Sequence, residues 1–262
     1  MVPMERGSAK CSAYKAGFQT VLCLSVILKF LREIGESWPL CYNRPLMAEP
    51  AFKAPHYIVV EGPIRVGKST LAKALAERMY ARRIFDCEDN PFLAAFYEEK
   101  PGAAFAAQMH FLYERHRRLM EADVEGQASP VVSDFLFEKD KIFAYINLDN
   151  EELKLYEKYF DSLAPSVPSP DLVIYLQATP QVLRSRVSKK GLREETEISP
   201  EYLETVANAY EHFFFRYSGS NLLVVDTSEI DFVERNGDLQ ELLRRLRQPV
   251  TGTQYFLPLG EG

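Results

Sequence analysis

The chain predicts an α/β fold in which a five-stranded parallel sheet carries helices on both faces. Three observations predict it. Short runs of β-branched and apolar residues alternate with segments at helical spacing from His56 onward. The first of these runs is joined to its helix by a glycine-rich turn. The 262 residues, 47% hydrophobic and 26% charged, suit one α/β domain or two small ones with a sizeable core. That balance excludes a disordered chain, a collagen-like chain and a disulfide scaffold. The net charge of −6 argues against a general nucleic-acid binder.

The elements follow in order. His56–Glu61 (HYIVVE) reads as a buried strand, and Thr70–Ala81 as the helix after the glycine-rich turn. Arg83–Cys87 is a second short strand and Ala103–Met120 a long amphipathic helix. Val131–Val132 is a third strand, and Ile142–Phe160 is helical. Pro165, Pro168 and Pro170 mark a turn before the strand Asp171–Ala178. Pro180–Lys190 is a basic helix and Pro200–Tyr217 another. Asn221–Asp226 is the fifth strand, and Leu239–Arg247 the closing helix. One domain therefore spans 55–248, followed by a tail, 249–262, with an apolar patch at Tyr255, Phe256 and Leu257. Whether the tail packs on the domain is open.

Residues 1–46 differ in composition. They carry +3 while the remainder carries −9, and they hold Cys11, Cys23, Cys41 and Trp38. The apolar run Val21–Leu28 is too short to span a membrane comfortably. Lys10 and Lys15 precede it as in a signal peptide, without an A-x-A site after Leu31. The segment reads as an extension outside the fold, with targeting and surface anchoring as the alternatives. The cysteines lack C-x-x-C spacing, so no metal or disulfide frame is expected.

Gly62-Pro63-Ile64-Arg65-Val66-Gly67-Lys68-Ser69 fits G-x-x-x-x-G-K-[ST] between a strand and a helix, and Thr70 continues it. Glycines let backbone N–H groups converge on phosphates, and the helix N-terminus adds positive potential. Lys68 reaches the β and γ phosphates, and Ser69 can ligate Mg²⁺. This is an ATP-type phosphate loop. No N-K-x-D tetrapeptide is present, which disfavours a guanine-selective GTPase.

Five features bear on the acceptor. Glu88 follows the second strand, where a carboxylate can point into the ligand crevice and take a hydroxyl proton. A surface turn carboxylate is the plainer account. Gln108 and Arg115 share a helix face with Leu112 and Leu119. Either a planar base or an internal salt bridge satisfies them. Tyr97 bonds a sugar hydroxyl or is core. Arg184, Arg186, Lys189, Lys190 and Arg193 form either a lid over the phosphates or a solvated helix face. Asp134, after the third strand, can join the Mg²⁺ shell.

Their order and spacing resemble the deoxynucleoside kinase family, in its bacterial deoxyadenosine/deoxyguanosine kinase-like branch. The matching stretches include VEGPIRVGKST, CEDNPFLAAFYEEKPGAAFAAQMHFLYERHRRL, SDFLFEKDKIFA, DLVIYLQATPQVLRSRVSKKGLREE and ISPEYL. The resemblance implies a P-loop kinase fold with a basic lid. It implies that ATP·Mg²⁺ phosphorylates the 5′-hydroxyl of a deoxynucleoside, purine favoured, in nucleotide salvage. It also implies a cytoplasmic enzyme and a homodimer. By position, Glu88 resembles the catalytic base, Lys68 and Arg186 the groups that stabilise transferring charge, and Gln108 and Arg115 the base-edge contacts. Tyr97 and Glu195 resemble the sugar 3′-hydroxyl contacts, and Arg186 and Lys190 lid residues. The segment Asp226–Val233 resembles the loop beside the adenine of ATP.

The chain departs from the family in three places. Ser133-Asp134-Phe135 stands where Glu-Arg-Ser is common, so the strand-end arginine is absent. Lys139 stands where animal members carry a base-reading aspartate, and Lys190 and Leu192 where lid arginines are common, with Arg193 adjacent. Two competing readings are a nucleoside monophosphate kinase, such as a thymidylate kinase-like enzyme, and a non-catalytic nucleotide-binding protein. The first wants a cation near the acceptor phosphate, where Glu88 would repel it. The co-occurrence of Glu88, Arg115, Glu195 and the lid argues against the second. The four histidines lack metal spacing and there is no G-x-S-x-G elbow.

Overall fold

Four largely apolar segments pair side by side and are buried on both faces, the pattern of a parallel sheet between helix layers, with a more exposed strand at each edge. The computed structural model describes residues 54–190, 199–230, 232 and 235–257. The expectations for residues 1–46, the lid residue Arg193 and Glu195 lie outside them.

The elements run β1 (Tyr57–Glu61), α1 (Lys68–Met79), β2 (Arg82–Ile84), α2 (Leu93–Tyr97), α3 (Ala103–Ala122) and β3 (Val131–Ser133). Then come α4 (Lys139–Asn147), α5 (Asn150–Leu163), β4 (Leu172–Gln177), α6 (Pro180–Lys190) and α7 (Pro200–Phe215). Last are β5 (Asn221–Asp226), α8 (Asn236–Arg245) and β6 (Thr253–Phe256). Strand order is β2-β3-β1-β4-β5-β6, with every pairing parallel.

Alternation along β1 and β4 separates two cores. Tyr57, Val59, Val173 and Tyr175 face Leu112, Tyr156, Phe160, Val206, Tyr210 and Phe214 of α3, α5 and α7. Ile58, Val60, Ile174 and Leu176 face Leu71, Leu75, Leu183 and Leu242 of α1, α6 and α8. Tyr175 stacks on Phe214 with ring centroids 4.1 Å apart.

Two expectations change. The tail supplies a sixth strand: Thr253–Phe256 pairs with β5 in register Leu222↔Thr253 to Val225↔Phe256. Its backbone groups thereby find partners that its own short pattern did not announce. The helix expected over Ile142–Phe160 is two helices. Leu148 is extended (φ −97°, ψ 145°), and Asp149 opens α5 with a capping box, its carboxylate taking the Glu151 and Glu152 N–H groups. Lys139 and Asp140, the first residues of α4, are buried. The short helix α2 was not anticipated.

Candidate active site

The strand order reverses direction about β1, so the crevice opens at the carboxyl ends of β1 and its neighbours. β1 runs into the phosphate loop. Gly67, at φ 109°, adopts a left-handed conformation to start α1. Gly62 is demanded by close approach: a Cβ there would sit 2.2 Å from the carbonyl oxygen of Leu176. Lys68 Nζ donates to the carbonyls of Gly62 (2.7 Å) and Pro63 (3.1 Å), so the ammonium already lies over the loop. Burial lowers its pKa to about 8, against the pull of Glu61. The charged groups near enough to act on it are Glu61, Lys139, Asp86 and Asp134. Ser69 is exposed at the start of α1.

Arg186 of α6 braces this loop from behind. Its guanidinium donates to the Val66 carbonyl (3.4 Å), to Thr227 Oγ1 (3.1 Å) and to the carbonyls of Thr227 (2.6 Å) and Ile230 (2.8 Å). It therefore joins the phosphate loop to the segment after β5 in this arrangement, where the sequence suggested a side chain swinging over the phosphates. Arg184 and Lys189 are exposed on the same helix, and the side chain of Lys190 lies outside the described residues.

On the acceptor side a buried polar network replaces isolated contacts. Glu61, the last residue of β1, is fully buried. Its carboxylate accepts from the Gly62 N–H (2.8 Å), the Leu136 N–H (2.7 Å) and the Tyr210 hydroxyl (3.2 Å). Lys139 Nζ lies 3.8 Å from Glu61 Oε2 and donates to Asp86 Oδ2. Arg115 forks onto Asp86, with Nε donating to Oδ1 (2.9 Å) and Nη2 to Oδ2 (3.3 Å), and its Nη1 donates to Asp140. Asp140, fully buried, also accepts from Gln108 Nε2 (2.7 Å) and the Tyr156 hydroxyl (2.9 Å).

Burial pushes the Asp86 carboxyl up, but Arg115 and Lys139 more than reverse it and hold it well below the usual carboxylate range. Burial also raises the Asp140 carboxyl, with Arg115, Gln108 and Tyr156 pulling against it. Opposing the burial of Arg115, Asp86 and Asp140 hold its guanidinium above its ordinary pKa.

Of the residues anticipated here, Gln108 and Arg115 are brought together, and their mutual partner is Asp140. Gln108 gives both amide hydrogens to Asp140, to its carboxylate and to its carbonyl (3.0 Å). Its oxygen is the atom left to accept from a ligand. Asp134 is buried beside them, its Oδ1 accepting the Asp86 N–H (2.7 Å). Tyr97 lies on α2, 42% exposed. Glu88 is exposed in the turn whose Asn90 docks on the Ala107 carbonyl of α3 (2.9 Å).

Glu61, Asp86, Lys139 and Asp140 were not singled out as site residues. Signals existed: Glu61 ends an otherwise apolar strand. Lys139 and Asp140 stand three and four residues before Ile142 and Ala144, on the buried side of α4.

This arrangement has counterparts. A model of the family described as deoxynucleoside kinase matches residues 58–251. A deoxyguanosine kinase of Bacillus subtilis is 30% identical over 199 residues, 73% of this chain and 96% of the relative. A deoxyadenosine/deoxycytidine kinase of the same organism is 25% identical over 205 residues, 75% of this chain and 94% of the relative. Among solved structures, a deoxyadenosine kinase of M. mycoides with dCMP and dCDP bound is similar at a TM-score of 0.64 and 25% identity. The match covers 73% of this chain and 98% of that one.

Proposed function

This chain belongs to the deoxynucleoside kinase family, and from that premise we propose that it phosphorylates the 5′-hydroxyl of a purine deoxynucleoside with ATP. The product re-enters the nucleotide pool. The observation that carries this reading is the buried network that links a phosphate loop, through Glu61 and Lys139, to an ionised Asp86. A nucleoside monophosphate kinase needs a free cation there, whereas both cations here are spent on carboxylates. The deoxyguanosine kinase and deoxyadenosine kinase names among its relatives support purine preference, and one relative is named for deoxycytidine as well.

ATP phosphates sit on residues 62–70, held by loop N–H groups and by Lys68 in exchange for its two carbonyl partners. Arg186 adds a guanidinium behind the loop. The nucleoside lies between the 86–97 segment and α3, its base edge against Gln108 Oε1 and Arg115, and its sugar towards Tyr97 and Glu195. Sequence position suggested Glu88 as the base. We assign the role to Asp86, because it is aimed by two cations whereas Glu88 is exposed. An ionised, fixed carboxylate orients the hydroxyl and accepts its proton as the γ-phosphoryl transfers in line. Glu88 sits at the exposed mouth of the crevice.

Ser69 and Asp134 carry hard oxygen donors of the kind Mg²⁺ takes, and these two residues would hold the ion. When bound, the ion offsets the charge on the β and γ phosphates. We place the activity in residues 55–248, so a chain starting at Met47 keeps it. Exposed Tyr113 and Met120 of α3 and Leu155 and Tyr159 of α5 support a homodimer, measured by sedimentation. No helix among the described residues is long and apolar enough to cross a membrane. The cytoplasm is the proposed location, read by fractionation.

The experiment is ATP-dependent phosphorylation of every deoxy- and ribonucleoside and of dTMP by the chain from Met47. Product from deoxyadenosine or deoxyguanosine, and none from dTMP, is expected. Turnover of dTMP alone overturns the acceptor assignment.

A further inference from the structure

Lys139 opens α4 with a side chain that is 4% exposed. A buried ammonium is costly unless paired, and this one is paired on two sides. It donates to Asp86 Oδ2, beyond the end of β2, and lies 3.8 Å from Glu61 Oε2, the end of β1. One side chain from a third element therefore joins the acceptor carboxylate to the strand that launches the phosphate loop. Glu61 in turn grips the first N–H of that loop, at Gly62.

Three carboxylates, Glu61, Asp86 and Asp140, share two cations here. Arg115 is already divided between Asp86 and Asp140. The end of β3 contributes no cation: it reads Ser133-Asp134-Phe135, and Asp134 takes the Asp86 N–H. Without Lys139, Asp86 would keep a share of one guanidinium and face an acidic neighbour.

We propose that Lys139 is a positioning residue for the phosphoryl transfer, holding the Asp86 carboxylate in its aim while tying it through Glu61 to the phosphate loop. This rests on the assignment of Asp86 as the acceptor carboxylate.

The groups facing Asp86 are Arg115 from α3, Lys139 from α4, Asp134 after β3, and Lys68 at longer range from α1. Arg118 of α3 also donates to the Asp86 carbonyl (3.1 Å). Arg115 and Lys139 are the two that lower its carboxyl against burial. Losing Lys139 leaves Asp86 Oδ2 with the 3.3 Å contact to Arg115 Nη2, so the carboxylate is held less firmly in its aim.

Lys139→Gln keeps a hydrogen-bond donor and removes the charge. Its kcat and its nucleoside and ATP KM values are measured beside those of Lys139→Arg, with a thermal melt of each. Expected for Lys139→Gln is a kcat loss of roughly tenfold or more with ATP KM within about twofold. Lys139→Arg should recover most of kcat. If the kcat of Lys139→Gln falls only with the folded fraction, or Lys139→Arg recovers none of it, Lys139 is a structural ion and the proposal is overturned. Asp86→Asn is assayed alongside. If that variant turns over normally, the acceptor assignment fails and takes this proposal with it. If it is inactive while Lys139→Gln behaves as the parent, the Lys139 proposal alone fails.

Discussion

Replacing Gly62 by alanine tests how the phosphate loop is held. An alanine Cβ would lie 2.2 Å from the Leu176 carbonyl oxygen and 2.9 Å from Val66 Cγ1. Carbon and oxygen approach to about 3.3 Å even in the tight contacts between strands, so the overlap is about 1 Å. The oxygen cannot retreat. Leu176 belongs to β4, which is laddered to β1 on one side and β5 on the other. The loop must move instead, and with φ at 152° the new residue is also strained. Backbone strain costs about 1–3 kcal/mol, and overpacking another ~1–3 kcal/mol. Together they come to about 2–6 kcal/mol, a fall in Tm of roughly 4–24 °C for a domain of this size. The loop that moves is the loop whose N–H groups meet phosphate, so ATP affinity should fall with stability. Gly102→Ala is the control. Its φ is 73° and an added Cβ meets nothing within 4 Å, so only strain applies. The assay is thermal unfolding of both variants with and without ATP. A Gly62→Ala protein that melts no lower than Gly102→Ala refutes the reasoning.

Three other outcomes follow from the same geometry. Asp86→Asn should lower kcat by about 10²–10⁴ with ATP KM little changed, whereas Glu88→Gln keeps most turnover; steady-state kinetics showing the reverse would return the base to Glu88. Burial sets Lys68 near pKa 8 in the folded chain, below the ~10.4 of an unfolded lysine. Between those values the unfolded chain holds the proton and the folded chain does not, so stability should rise with pH across that window. Lys68→Met should erase this slope, so its advantage in Tm over the parent shrinks from pH 8 to 10; a difference constant with pH counts against the assignment. Asp149→Ala removes the capping box of α5 and should cost about 1 kcal/mol in denaturant unfolding, without altering either KM.

The strands were legible where a run was apolar and bounded, as at Tyr57–Glu61 and Leu172–Gln177. The phosphate loop was legible because its chemistry depends on local backbone: glycines, a lysine and a hydroxyl at fixed spacing. Two elements were not. Thr253–Phe256 is a strand only because β5 offers it a ladder. The break at Leu148 is written in one capping aspartate, which a continuous apolar period hides.

The site divides the same way. Gln108 and Arg115 stood out because two polar side chains lay on an apolar helix face, and the alternative of an internal salt bridge proved part of the answer. Asp86 and Glu88, two residues apart beyond one strand, could not be ranked from spacing.

Residue order alone therefore determined the layered α/β fold and the phosphate site, since periodicity and backbone permissiveness are local properties. Tertiary packing alone decided which carboxylate meets which cation. Asp86, Arg115, Lys139 and Glu61 come from four elements, and their ion pairs join charges that only folding brings within a few ångströms.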